Sequence, residues 1–224
     1  MRNKLVLIIL LILPVLIYLI FATATHNSLF LPTISKNNKE LPKWKSFDGK
    51  PVSLIDKITV LGFIGNDILK NEENLFNLNQ KIYGKYEGFH DFQLVMIAQE
   101  GSEKQVENLL EKLGRFSENL SGWKFVFAKP EEIKEYYNSF KLHDSLNSSL
   151  STTNVIILDK DRNHRGRKGK NKEGKNEYKE SYNTNSAADL HNDMSDDVKI
   201  MLREYRLALK RNNKRKDFRL HESK

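Results

Sequence analysis

The side chains that most often carry catalysis or bind metals are either absent from this sequence or scattered along it. Cysteine is missing from all 224 residues, which excludes disulfides, thiolate ligands and a cysteine nucleophile. No two of the six histidines have the i, i+4 or His-x-His spacing that would place two imidazoles on one metal ion. The sequence therefore predicts no metal or other cofactor, and it favours linker, loop or helix-surface positions for the histidines. They are His26, His90, His143, His164, His191 and His221.

Three other patterns could suggest a site, and each has a simpler structural explanation. Asp193, Asp196 and Asp197 could suggest a hard-cation site, but there is no Asp-x-Asp-x-Asp-Gly loop, and acidic residues are expected near a helix start. The GFIG sequence at 62–65 lacks the later glycine and the Lys-Ser/Thr pair of a phosphate-binding loop. The serines of 145–151 lie in neither Gly-x-Ser-x-Gly nor Ser-x-x-Lys, and they indicate a flexible loop. We therefore predict that the protein is not an enzyme.

The formal net charge of +8 is concentrated in particular segments of the chain. Residues 26–159 carry −2, residues 160–180 carry +5, residues 181–198 carry −4 and residues 199–224 carry +7. A nucleic-acid-binding domain more often places its basic residues on a folded face together with aromatic residues. Since the basic segments contain few aromatic residues, the composition does not favour nucleic acid as a partner.

The basic C-terminal segment has two interpretations, which the sequence leaves open. In the first, its cations belong to a solvated helix end, where the helix dipole favours positive charge. In the second, they contact anionic lipid headgroups or an acidic partner, over a range that salt limits to about 10 Å. The residues concerned are Lys210, Arg211, Lys214, Arg215 and Lys216.

The N-terminal segment has the length and composition of a membrane-spanning helix. Residues 5–24 contain no charged side chain, and about 20 helical residues span the hydrocarbon core of a bilayer. Arg2 and Lys4 precede this run and the next charge is Lys36, so the positive-inside rule predicts a cytoplasmic N-terminus and an exported remainder. The alternative is a signal peptide that is cleaved after the small residues of 22–24.

The exported part shows alternating strand and helix patterns. Asp48-Gly49 between short apolar runs predicts a hairpin over 41–54, and a basic excursion over 160–175 is expected to return at 177–183 as a longer one. Apolar runs rich in branched residues predict four buried strands at 58–64, 92–98, 123–128 and 153–159. Helical spacing and terminal signals predict helices over 67–83, 106–113 and 130–140 and one that contains Val198, Met201, Leu202, Tyr205 and Leu209. This order indicates an α/β fold with a central mixed sheet and helices on both faces.

Four of these segments together resemble a known family. FDGKPVSL at 47–54, ITVLGFIGNDILK at 58–70, WKFVFAKPEEIKEYY at 123–137 and TNVIILDKD at 153–161 are similar, in this order, to the SCO/SenC proteins. Those are membrane-anchored copper chaperones with a thioredoxin fold that act in cytochrome oxidase assembly. The resemblance covers about residues 41–210, and it implies a thioredoxin-like fold behind an N-terminal anchor.

The resemblance does not extend to the family's copper ligands. Its CxxxC motif follows the strand that resembles 58–64, and the two cysteines align with Asn66 and Lys70 here. Its ligand histidine aligns near Ser151, and His143 lies eight residues earlier. Soft Cu(I) needs thiolate or thioether donors, which Asn, Lys and Ser do not supply. The resemblance therefore implies the family's fold without its copper or thiol chemistry.

These features together predict the layout of the chain and its role. We expect an anchor or signal peptide over 1–25, a linker over 26–40, an SCO-like thioredoxin-fold domain over 41–212 with a basic insertion over 160–180, and a basic tail over 213–224. The expected protein is a single-pass bacterial inner-membrane protein whose periplasmic domain binds or helps assemble an envelope partner without catalysis. One alternative is a non-thiol metal site or cryptic enzyme around a pocket of Asn66, Asp67 and Lys70, and another is anionic-surface binding through the basic tail.

Overall fold

The computed structural model describes residues 12–16, 30–171 and 173–222, with side chains up to Ala208 in the last helix. Ten strands are present in this part of the chain: β1 Thr33–Ser35, β2 Lys45–Ser46, β3 Ile58–Gly65, β4 Phe92–Gln99, β5 Trp123–Ala128, β6 Ser151–Leu158, β7 His164–Arg165, β8 Arg167–Lys170, β9 Asn176–Lys179 and β10 Tyr182–Asn183. The main α-helices are α1 Ile68–Leu78, α2 Glu103–Leu113, α3 Pro130–Ser139 and α4 Ser195–Glu222. A π-helical segment, Asn79–Tyr83, and a turn, Gly84–Tyr86, continue α1, and a second π-helical segment, Asp189–Met194, precedes α4.

One mixed sheet forms the centre of the fold. Its strand order is β1-β7-β6-β3-β4-β5-β2, and β10 pairs with β6. Strands β3, β4 and β5 are parallel, whereas β6 and β2 run antiparallel to their neighbours β3 and β5. All eight residues of β3 are buried, as expected for a strand that is covered on both faces. The predicted central mixed sheet is confirmed.

Helices cover both faces of this sheet because consecutive strand residues point to opposite sides. Val60, Leu94 and Phe125 pack with α1, α2 and α4, whereas their sequence neighbours Leu61, Val95 and Val126 pack with α3. The four predicted core strands and the four predicted helices are therefore present, with end residues that differ by a few positions.

Local signals account for two of the helix ends. Pro130 occupies the first turn of α3, and the Lys129 amide donates to the Glu132 carboxylate at 3.0 Å, which satisfies one of the free donors of that helix end. Gly114 follows α2, and its amide donates to the Leu110 carbonyl at 2.9 Å. Both ends lie where the sequence predicts them.

The predicted hairpin over 41–54 is wrong. Gly49 does form a turn with a φ of 70°, but β2 pairs antiparallel with β5 at the edge of the main sheet. The Ser46 hydroxyl donates to the Lys50 carbonyl, and the Leu54 amide donates to the Glu40 carboxylate at 2.8 Å. Because these groups have side-chain and turn partners, the returning segment does not pair with β2.

The expected linker over 26–40 needs a similar correction for the residues that the structure describes. Strand β1 pairs antiparallel with β7, and Leu31 is buried in the core at 3% exposure. The folded domain therefore includes residues from Leu31 onward. The earlier part of the linker, and most of the predicted anchor, lie outside the described residues, although 12–16 are helical. Among the described residues, no helix is both long enough and apolar enough to cross a membrane.

The basic insertion is a hairpin that is bound to the acidic segment after it. Strands β8 and β9 pair antiparallel, which confirms the predicted long hairpin, but its returning arm ends at Lys179 and residues 182–183 pair with β6 instead. Arg167 forms ion pairs with Asp197 and Asp193, and Lys179 forms ion pairs with Asp189 and Asp193. Three of the four aspartates of 181–198 are thus paired with two cations of 160–180, Arg167 and Lys179. These two cations of the hairpin are consequently engaged with the domain itself.

Candidate functional site

The turn between β3 and α1 holds the positions that the sequence singled out. Gly65 has a φ of 54°, and a Cβ atom built there would lie 1.8 Å from the Ser149 carbonyl oxygen. The Asn66 amide donates to the same carbonyl at 3.1 Å. Only glycine fits this close approach between two backbone segments. The turn is therefore fixed against the loop 141–150.

The structure brings Asn66, Asp67, Lys70 and Ser151 to one end of the sheet. Ser151 opens β6 directly opposite Ile64 of β3, one residue before the Gly65 turn. Asn66 is exposed, and Lys70 is 79% exposed with its ammonium 3.1 Å from the Asp67 carboxylate. Asn66, Asp67 and Lys70 thus share a surface at the start of α1, where Asn66 and Lys70 lie open to solvent, whereas Ser151 is buried.

Ser151 has a structural role in this arrangement. It is 2% exposed, its amide donates to Asn147 Oδ1 at 3.0 Å, and its hydroxyl accepts from Asn147 Nδ2 at 2.9 Å. These bonds close the loop that packs on Gly65. The hydroxyl is held by an amide, which does not remove its proton, so the geometry does not make Ser151 a nucleophile.

The loop 141–150 also contributes His143 to a histidine–glutamate pair that no pattern in the sequence indicates. The amide of His143 donates to Glu180 Oε1 at 2.6 Å, and its Nδ1 lies 2.9 Å from Glu180 Oε2. Tyr178 donates its hydroxyl to the same carboxylate at 2.7 Å. Burial opposes ionisation of Glu180, but the donors of His143 and Tyr178 outweigh it and hold its pKa below the usual range. Since 37 residues separate the pair, no local spacing could have indicated it.

His164 differs from the linker, loop or surface position that the sequence favoured. It lies in β7 with no exposed surface, and its Nε2 is 2.6 Å from the Glu180 carbonyl. Burial lowers the pKa of its imidazole. His164 is therefore part of the core. Its contact with the Glu180 carbonyl connects β7 to the residue whose carboxylate binds His143.

A cleft of about 300 Å³ lies beside the site, between α3 and the loop 141–150. Tyr137 and Leu150 are buried in its wall, and Lys134, Lys141 and Asp144 lie at the surface. Burial, together with the charges of Asp144 and Glu180, raises the pKa of Tyr137 to about 12. The phenol is therefore neutral at physiological pH and does not act as a base there.

The chemistry available at the start of α1 is limited by its donor set. Asn66 offers an amide, Lys70 an ammonium that is already paired, and Asp67 a carboxylate that faces it. Cu(I) requires softer donors. Among the described residues, no group of three or more His, Asp or Glu side chains is placed to hold a metal ion. The surface at the start of α1 also presents an apolar side chain, Leu69, which is 65% exposed between the polar positions.

Comparisons with known proteins identify the fold. No protein-family model matches the sequence, and no curated protein matches it. Among solved structures, the chain is similar to an SCO1/SenC family lipoprotein from Bacillus anthracis, with 18% identity, a TM-score of 0.51, and coverage of 80% of this chain and 99% of the other. It is also similar to a candidate protein disulfide isomerase from Bacteroides thetaiotaomicron, with 13% identity, a TM-score of 0.52, and coverage of 78% and 95%.

Both similarities extend over nearly the whole length of the other chain, so the whole domain is shared rather than a fragment of it. Their low identity means that they show the architecture only. The cysteine-free sequence agrees with a domain that lacks thiol ligands. This protein therefore has an SCO-like, thioredoxin-type fold.

Proposed function

We propose that this protein is a membrane-anchored binding module, whose SCO-like thioredoxin-fold domain contacts a partner in the bacterial cell envelope without catalysis. The observation that carries this proposal is the surface at the start of α1. It is ordered by the Gly65–Ser149 contact and exposed at Asn66, Leu69 and Lys70, and it bears no thiol or imidazole at the aligned positions. A fixed, exposed surface with a central apolar side chain is suited to binding another protein.

The proposed location follows from the sequence. The uncharged run 5–24 and the basic residues before it support an inner-membrane anchor with a cytoplasmic N-terminus and a periplasmic domain. Cleavage after 22–24 would instead release the domain, and the same surface would then act in solution. Neither alternative changes the binding role that we assign to the start of α1.

A site-specific photocrosslink tests the binding role. A photoreactive amino acid at Leu69 of the full chain, expressed in bacterial cells, is expected to give one discrete adduct with an envelope protein. The matched control carries the same amino acid at Asn108, which is exposed on α2. Introducing Lys70→Glu beside the probe should weaken the Leu69 adduct, because it reverses a charge at the centre of the surface. Equal adducts at both positions, or none at Leu69, would contradict the proposal.

A further inference from the structure

The point where the chain enters the folded domain is clamped to helix α4. The Leu31 amide donates to Glu204 Oε1 at 2.7 Å, and Arg165 Nε donates to the Leu31 carbonyl at 2.9 Å. Arg165 also pairs with Glu204 at 2.8 Å and with Asp159 at 3.0 Å. The side chains of Arg165, Glu204 and Asp159 are all at least 87% buried. This clamp fixes the start of the domain against the middle of α4.

The clamp limits how far the domain can lie from an anchor at 5–24. Residues 25–30 connect the two, and six extended residues reach about 20 Å. The basic segment of α4 lies close to the same place, because Lys210 and Lys216 follow Glu204 by about 9 and 18 Å along the helix axis. The chain therefore enters the domain beside the same helix that carries the basic segment.

The length of α4 argues against the interpretation that these cations simply occupy a solvated helix end. The helix runs to Glu222, so 210–216 lies about 1.7 to 3.3 turns before its end. The helix dipole favours positive charge mainly within the last turn. A helix end alone therefore does not account for this run of basic residues.

We propose that the basic segment 210–216 of α4 binds the anionic headgroups of the bilayer that holds the anchor. This inference rests on the anchoring in the proposed function. Five of the seven residues are basic and none is acidic, which complements an anionic lipid surface. The short connection keeps the segment near that surface. Docking on the lipid would orient the domain and fix the direction in which the start of α1 faces.

The experiment uses the full chain, in which an introduced cysteine is unique because the natural sequence has none. An NBD fluorophore on Asn213→Cys reports contact with lipids that carry a headgroup nitroxide quencher. A second labelled chain, Glu131→Cys, places the probe on α3, which covers the opposite face of the sheet. Both are reconstituted in vesicles of phosphatidylcholine, alone or mixed with phosphatidylglycerol. A third chain combines the Asn213 label with Gln at all five basic positions.

The equilibrium constant for headgroup contact at position 213, derived from the quenching, is expected to be at least about fivefold greater in the phosphatidylglycerol vesicles and to fall in high salt. Headgroup contact of even one basic residue changes this constant by about that factor. The label at position 131 and the Gln variant should stay at the phosphatidylcholine level. Equal quenching at 213 in both lipids would overturn the proposal. The proposal would also be overturned if the Gln substitutions abolished the Leu69 photocrosslink while quenching at position 213 did not depend on the lipid. That result would indicate that the segment binds an acidic protein.

Flotation separates failure of the anchor from failure of this inference. A chain that is held by its N-terminal anchor floats with phosphatidylcholine vesicles whether or not the segment 210–216 binds headgroups. A chain that floats only with phosphatidylglycerol vesicles would contradict the anchor and support headgroup binding. A chain that floats with both but shows no lipid-dependent quenching would keep the anchor and reject the inference.

Discussion

Replacing Gly65 with alanine is expected to lower the free energy of unfolding by about 2–5 kcal/mol, which combines a left-handed backbone cost with the cost of overpacking. The new Cβ would lie 1.8 Å from the Ser149 carbonyl oxygen, and a backbone atom has no flexible side chain through which to move away. The loop 141–150 must therefore shift from the turn before α1. We expect the Leu69 photocrosslink to weaken in the same variant, because the surface would lose its support.

Urea denaturation of Gly65→Ala beside Gly49→Ala measures this effect. Gly49 also has a left-handed φ, of 70°, but nothing lies within 4 Å of the position of its missing Cβ. Gly49→Ala should therefore cost only the backbone preference, about 1–2 kcal/mol. If the two variants lost the same stability, the close approach of the loop to the turn would not be a feature of the folded protein.

Replacing Arg165 with alanine is expected to cost about 3–5 kcal/mol, the range seen when one partner of a buried ion pair is removed. Asp159 and Glu204 would be left as buried carboxylates without their cation, and the Leu31 carbonyl would lose its donor. Burial disfavours the charged guanidinium of Arg165, but Glu204 and Asp159 outweigh this and raise its pKa. The arginine is therefore charged at physiological pH.

The matched control is Arg115→Ala. Arg115 pairs with Glu111 at 3.2 Å, but both side chains are largely exposed, and such a pair contributes no more than about 1 kcal/mol. Amide hydrogen exchange should locate the effect of Arg165→Ala, with loss of protection at Leu31 and along β1 and β7. A small stability change equal to that of Arg115→Ala would show that the clamp does not hold the start of the domain.

The sequence predicts the interior of this fold well because the relevant signals are local. Strand β3 is an uninterrupted apolar run, α3 begins at Pro130, and α2 ends at Gly114, so each element carries its own signal. The short edge strands carry no such local signal. Strand β2 has only two residues and takes its partner from β5, whereas the local Asp48-Gly49 turn suggested a hairpin.

Long-range contacts explain what the sequence could not predict at the site. Its positions at the ends of β3 and β6 come together as the resemblance implied, since Ile64 and Ser151 are neighbours in the sheet. By contrast, the Glu180–His143 pair and the clamp of Leu31 by Arg165 join residues 37 and 134 positions apart. The pairing of Arg167 with Asp193 and Asp197 likewise joins residues 26 and 30 positions apart, so the segment charges alone could not indicate it.

The most direct test of the central claim is a Cu(I) competition titration. We claim that an SCO-like fold is present here without thiolates, because Asn66 and Lys70 stand at the positions that the resemblance aligns with the two CxxxC cysteines. The full chain should therefore leave a micromolar Cu(I) indicator unchanged, whereas the variant Asn66→Cys/Lys70→Cys should remove about one equivalent of copper from it, since two thiolates suit Cu(I). Stoichiometric copper binding by the natural chain would contradict the claim, as would a double variant that folds normally and binds none.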